Sequence, residues 1–106
     1  MGKIPKRSKS YEKDYLLPRL KDGKAAQAYL AGALEDEEYP EVLLRAMGQV
    51  IKAKGIRPAH LAKKTNLNRQ NLYRILSGKS RPRIDVVMAI LSAMGFRLDF
   101  ALKKTS

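Results

Sequence analysis

The chain has 106 residues, with 22 lysines and arginines against 10 acids, one histidine, and neither cysteine nor tryptophan. That length suits one domain with a modest core, and the missing cysteines exclude disulfide frameworks, thiolate zinc sites and cysteine nucleophiles. A formal charge of +12 points to a polyanionic partner, nucleic acid before an anionic membrane or an acidic protein.

In chain order, residues 1–13 read as a disordered basic tail carrying Lys3, Lys6, Arg7, Lys9 and Lys13. No apolar stretch follows of the kind a secretory signal needs. Residues 14–22 read as a polar connector containing Leu16, Leu17, Pro18 and Leu20. Asp22 is placed to cap a helix running to about Leu34, whose alanines favour that conformation. The acidic block Glu35-Asp36-Glu37-Glu38 ends it or links it onward. Pro40 and Glu41 suit the start of the next helix and Gly55 its stop, with Leu43, Ala46, Met47, Val50 and Ile51 as its buried face.

A short helix from about Pro58 to Lys64 is predicted to bury Leu61 and Ala62, and Thr65-Asn66-Leu67 to turn the chain. Asn66 tolerates the left-handed conformation better than most residues with a Cβ. Asn68 caps a third helix with Leu72, Ile75 and Leu76 on its inner face and Gly78 as its stop. After the basic loop Lys79-Ser80-Arg81-Pro82-Arg83, a helix from Ile84 to Met94 presents Ile84, Val87, Met88, Leu91 and Met94, and Gly95 ends it. From Phe96 to Leu102 apolar and polar residues alternate, which predicts one strand. Such a strand needs a partner: its two-fold mate, the N-terminal region, or another protein's sheet edge. The longest apolar run, Val86 to Leu91, falls far short of the ~20 residues of a membrane helix, so no membrane partner is expected.

The charge is unevenly placed. Residues 1–40 hold eight bases and seven acids, whereas residues 41–106 hold fourteen bases and three acids. Between Lys52 and Ile84 there are ten bases and no acid. A merely solvated surface mixes both signs, because a one-sign block repels itself unless a polyanion relieves it.

Two short helices joined by a three-residue turn, apolar on their facing sides, make a helix-turn-helix. The run Leu61-Ala62-x3-Asn66-Leu67-Asn68-x3-Leu72-Tyr73-Arg74-Ile75-x2-Gly78-Lys79 resembles the Cro/CI (xenobiotic-response-element) type. Its one departure is Asn66, where that family usually has glycine. From Leu16-Leu17-Pro18-Arg19-Leu20 through Leu34-Glu35-Asp36 to Phe96-Arg97-Leu98, residues 14–102 resemble addiction-module antidote proteins, the HigA-like antitoxins.

The resemblance implies an all-α fold: a five-helix Cro/CI-like helix-turn-helix domain with an N-terminal helical extension and a short C-terminal β-strand. It implies a toxin-binding extension over 14–39 and a DNA-binding domain with a dimerisation strand over 40–102. The function implied is an antitoxin of a type II module, a cytoplasmic, nucleoid-associated bacterial protein. It would bind operator DNA as an autorepressing dimer and neutralise a RelE/HigB-like ribonuclease toxin; the alternative is a free-standing phage-type repressor without a toxin.

In such a motif the second helix enters the major groove. Arg69, Gln70, Asn71 and Arg74 are then the base contacts, since Arg grips guanine and Gln or Asn adenine through two bonds. Arg57, Lys63, Lys64, Asn68, Lys79, Ser80, Arg81 and Arg83 are the phosphate contacts. A homodimer on an inverted repeat is expected, with Met94, Phe96, Leu98 and Phe100 in the dimer contact.

Other signals fail. Gly78-Lys79-Ser80 copies the end of a P-loop, but Tyr73 stands where that loop needs glycine. His60 is alone, which leaves no material for a metal site or a serine-type triad. No enzymatic activity and no cofactor are expected.

Overall fold

The computed structural model describes residues 9–104, and the first eight residues of the basic tail lie outside them. Six helices are found among the described residues, one more than the five read from sequence. Helix α1 covers residues 9–20, α2 Gly23–Leu34, α3 Glu41–Lys54, α4 Pro58–Thr65, α5 Arg69–Leu76 and α6 Ile84–Met94.

The additional helix is α1, where a tail end and a polar connector were expected. It is α-helical over Lys9–Tyr11, widens to a π turn over Glu12–Leu16 and closes again over Leu17–Leu20. The wide turn lies just before Pro18, whose ring and missing N–H disrupt the regular bond to residue 14. Leu16 and Leu20, four residues apart, are both buried. Proline and the short apolar pattern made this segment look like a connector, but packing against α3 holds it helical.

The other helices begin and end for local reasons. Asp22 Oδ2 accepts from the Ala25 N–H at 2.9 Å to cap α2. Gly55 ends α3 with φ 66° and Gly95 ends α6 with φ 97°, both left-handed. Helix α3 is the hub: α1 and α2 pack against it, α5 packs against it too, and α4 joins α5 to α6. One continuous core results, from Leu16 and Leu20 through Met47, Val50, Leu61 and Leu72 to Ile90 and Met94. Residues 9–34 are therefore structural members of the same core as α4 and α5.

Two buried faces differ from those read in sequence. On α3, Leu44 is buried and Leu43 only half so. On α6, the buried stripe is Val87, Ile90, Leu91 and Met94, while Ile84 and Met88 are 65% and 52% exposed. Because α6 packs on α4, the stripe centres on the side of Ile90, which leaves Ile84 and Met88 outside it.

The predicted C-terminal strand does not form. Phe96 and Leu98 are half-buried against the core, but Phe100 and Leu102 are each 99% exposed. A strand exists only by pairing its main chain, and no described residue pairs with 97–104 through main-chain hydrogen bonds. The alternation is present; its partner is not.

Candidate nucleic-acid interface

The junction of α4 and α5 has the geometry anticipated from its residues. Asn66 ends α4 in the left-handed conformation, φ 59°, ψ 33°. The Thr65 hydroxyl donates to the Leu61 carbonyl at 2.7 Å, and the Leu67 N–H to that of Ala62 at 3.1 Å. These bonds satisfy the last carbonyls of α4. Asn68 is extended, and its Oδ1 accepts from the Asn71 N–H at 2.7 Å. Leu72 and Ile75 are buried and Leu67 half-buried. The cap occupies Oδ1, which leaves the Asn68 Nδ2 as a donor.

Arg69, Gln70, Asn71 and Arg74 are all exposed. A helix advances about 100° per residue, so Gln70, Tyr73, Arg74 and Ser77 lie opposite the buried side of α5, with Arg69 and Asn71 on its two flanks. Tyr73, 49% exposed, belongs to this face. The signal for it was present in the sequence, since it lies between Arg69 and Gln70 around the helix.

The expected phosphate contacts divide into three places. Lys63 and Lys64 are exposed in the last turn of α4, next to the turn that leads to Asn68 and Arg69. Arg57 is at the far end of α4, roughly 10 Å of helix away. Exposed Lys79, Arg81 and Arg83 and half-buried Ser80 follow the C-terminal end of α5. His60 is exposed on α4, and no group of three potential metal ligands occurs among the described residues.

The ten-base block reads differently once folded. Lys52 Nζ reaches Glu12 Oε2 of α1 at 2.9 Å, and Lys54 Nζ lies 5.9 Å from the centre of the Phe96 ring. Arg83 Nε meets Asp85 Oδ1 at 3.5 Å. Among the described residues Arg57, Lys63, Lys64, Arg69, Arg74, Lys79 and Arg81 form no ion pair. With Lys54, whose ring partner is uncharged, these seven form the charge that no acid compensates, spread over the end of α3, α4, α5 and the loop after them.

Two supports of this surface were not read from sequence. Glu12 of α1 also accepts from Gln49 Nε2 at 3.2 Å, and Gln49 Oε1 accepts from the Tyr29 hydroxyl, so both extension helices are tied to α3. Arg45 of α3 donates through Nε to the Ser77 carbonyl at 3.2 Å and so holds the end of α5. Residues 45 and 77 are brought together by tertiary packing alone, and no local pattern announces them.

Beside that contact Gly78 has φ 80°, and a Cβ there would meet Arg45 Nε at 3.0 Å and Glu41 Cβ at 3.1 Å. Gly78→Ala is expected to cost about 1–2 kcal/mol from the left-handed backbone alone. Gly23, at the start of α2 with open space around its Cβ position, serves as the contrast. Gly23→Ala is expected to be neutral or stabilising by up to about 1 kcal/mol. Urea denaturation of both variants checks the pair, and equal effects would contradict the assignment.

Of the residues expected in a dimer contact, Met94 is buried in its own chain's core. Phe96 and Leu98 are half-buried, and Phe100 is free.

Residues 13–102 match the family described as probable addiction module antidote protein. The chain belongs to this family. The matched span runs from within α1 to Leu102, so it takes in all six helices and the C-terminal segment. An uncharacterized protein of Haemophilus influenzae Rd is 28% identical over 71 residues, which cover 67% of the antidote protein and 70% of the relative. No solved structure matches the chain. Among the described residues no helix of the antidote protein is long and apolar enough to cross a membrane.

Proposed function

We propose that this antidote protein is the antitoxin of a type II module: it binds operator DNA as a homodimer, represses its own operon and neutralises a RelE/HigB-like ribonuclease toxin. The observation that carries the DNA half is the exposed side of α5, where Arg69, Gln70, Asn71 and Arg74 lie among bases of α4, α5 and the following loop that form no ion pair among the described residues. In the major groove, Arg reads guanine O6 and N7 while Gln and Asn read adenine N6 and N7. Arg57, Lys63, Lys64, the Asn68 Nδ2 donor, Lys79, Ser80, Arg81 and Arg83 hold phosphates and fix the docking. One copy offers few base contacts, so two copies on an inverted repeat set recognition helices about 34 Å apart.

The toxin half rests on family membership and on the acidic block between α2 and α3. Glu35, Glu37 and Glu38 are exposed there, suited to the cationic RNA-binding surface of a ribonuclease. Asp36 has a structural task, since its Oδ1 accepts from the Tyr39 N–H at 3.2 Å. The triple variant Glu35→Lys, Glu37→Lys, Glu38→Lys is expected to lose protection of cells expressing the adjacent toxin gene, with operator affinity retained or increased. Full protection by this variant removes the acidic block from the toxin interface. A non-toxic neighbour removes the antitoxin reading.

A free-standing repressor is the second reading. It is favoured by the burial of Leu16, Leu20, Ala26 and Leu30, which gives the extension a folding role without any toxin. That burial also rules out simple deletion of the first 38 residues as a test, since it would remove part of the core. The substitutions at the acidic surface separate the two readings without this cost.

A further inference from the structure

The segment after α6 alternates apolar and polar residues, yet no described residue supplies main-chain partners for 97–104. Its first two apolar residues, Phe96 and Leu98, rest on the core beside a groove of about 200 Å³ lined by Leu30, Leu34, Leu43 and Leu91. Its next two, Phe100 and Leu102, continue the same apolar side with nothing beneath them. The polar side carries Arg97 and Asp99, whose side chains approach within 3.9 Å at 87% and 77% exposure. That contact is too open and too long to hold either group.

We propose that residues 96–100 pair with the same residues of a second copy, as an antiparallel two-stranded ribbon centred on Leu98. The inference rests on the dimeric reading above and specifies its interface. In a two-fold antiparallel pair, directly opposed residues share a face, so only registers centred on a residue are available. Centring on Arg97 sets Arg97 against Arg97, and centring on Asp99 sets Asp99 against Asp99. Centring on Phe100 sets Arg97 against Lys103, and centring on Ala101 pairs Asp99 with Lys103 but sets the apolar Leu98 against Lys104 and leaves Phe96 out of the ladder. Like charges directly opposed destabilise a ladder.

Centring on Leu98 alone sets Arg97 of each copy against Asp99 of the other, twice by symmetry. The same register sets Phe96 against Phe100, again twice, and Leu98 against itself. Phe100, exposed in the single chain, then comes to lie at the partner copy's groove next to Phe96. The segment is thus complementary to itself in charge and in apolar content, which selects a second copy over another protein's sheet edge. Pairing also supplies the hydrogen bonds whose absence leaves the segment without strand structure in one chain.

The test uses the full chain without DNA, in sedimentation equilibrium and in cysteine cross-linking. Arg97→Glu or Asp99→Arg alone replaces two attractions by two repulsions and is expected to raise the dimer dissociation constant about tenfold or more. The double swap, Arg97→Glu with Asp99→Arg, restores it to within about threefold. The chain contains no cysteine of its own, so Leu98→Cys places the only two thiols opposite each other, about 4.5–5.5 Å apart at Cα, within disulfide reach. Ala101→Cys, whose two copies lie about 20 Å apart in this register, stays uncross-linked.

A monomer at the highest concentrations overturns the proposal. So does a dimer indifferent to both charge reversals and uncross-linked at position 98, as a contact through Ile84 and Met88 would give. Failure of the DNA reading looks different: a ribbon dimer that prefers no duplex leaves the interface standing, and operator binding through some other dimer leaves the DNA reading standing.

Discussion

Replacing Leu20 by alanine is expected to lower the stability of the whole protein by about 2–5 kcal/mol, as much as Leu72→Ala in α5. Leu20 is 2% exposed and Leu72 is 1% exposed, and both belong to the one core organised around α3. Truncation of a buried leucine removes its transfer free energy and leaves a cavity that the neighbours only partly fill. A domain of this size has about 5–15 kcal/mol in total, so either variant loses a sizeable share of it. The measurement is urea denaturation followed by far-UV circular dichroism and by tyrosine fluorescence. The tyrosine signal suits the purpose because Tyr11, Tyr15, Tyr29 and Tyr39 lie outside α4 and α5 while Tyr73 lies within α5. Coincident transitions with a lowered midpoint are expected for both variants. An early loss of the extension at Leu20→Ala, with α4 and α5 unaffected, would show two independent units and contradict the shared core.

Gln70→Ala and Arg81→Ala are expected to damage operator binding in two distinguishable ways. Gln70 projects from the exposed side of the first turn of α5. Removing its amide loses a bidentate contact and about 1–3 kcal/mol of discrimination at one base position, with weaker effect on unrelated duplexes. Arg81 lies in the loop after α5, exposed and without an ion pair among the described residues. Its loss weakens every duplex to a similar degree and lowers the slope of log affinity against log salt by about 1. Titrations of operator and scrambled duplexes at several salt concentrations measure both quantities. Identical behaviour of the two variants across sequences would contradict the proposed docking.

Much of this protein was legible in its sequence because the information is local. The caps at Asp22 and Asn68, the left-handed Asn66 and the glycine stops depend on residues within four positions of one another. The limits of α2, α4, α5 and α6 followed from them within a residue or two. The concentration of bases after Lys52 was equally plain, since charge can be counted without a fold.

Tertiary structure decided what lies between distant segments. It made residues 9–20 a helix by giving Leu16 and Leu20 a surface to cover, where Pro18 had suggested a connector. It turned α6 so that Ile90 is buried and Ile84 and Met88 are not, because α4 fixes which side is covered. It compensated Lys52 by bringing Glu12 to it, and it set Lys54 over the Phe96 ring. It brought Arg45 to Ser77. The alternation of residues 96–102 was read correctly as a strand pattern and incorrectly as a strand. Periodicity specifies which side chains share a face, but a strand also needs main-chain partners, and those are set by whatever lies next to it in space.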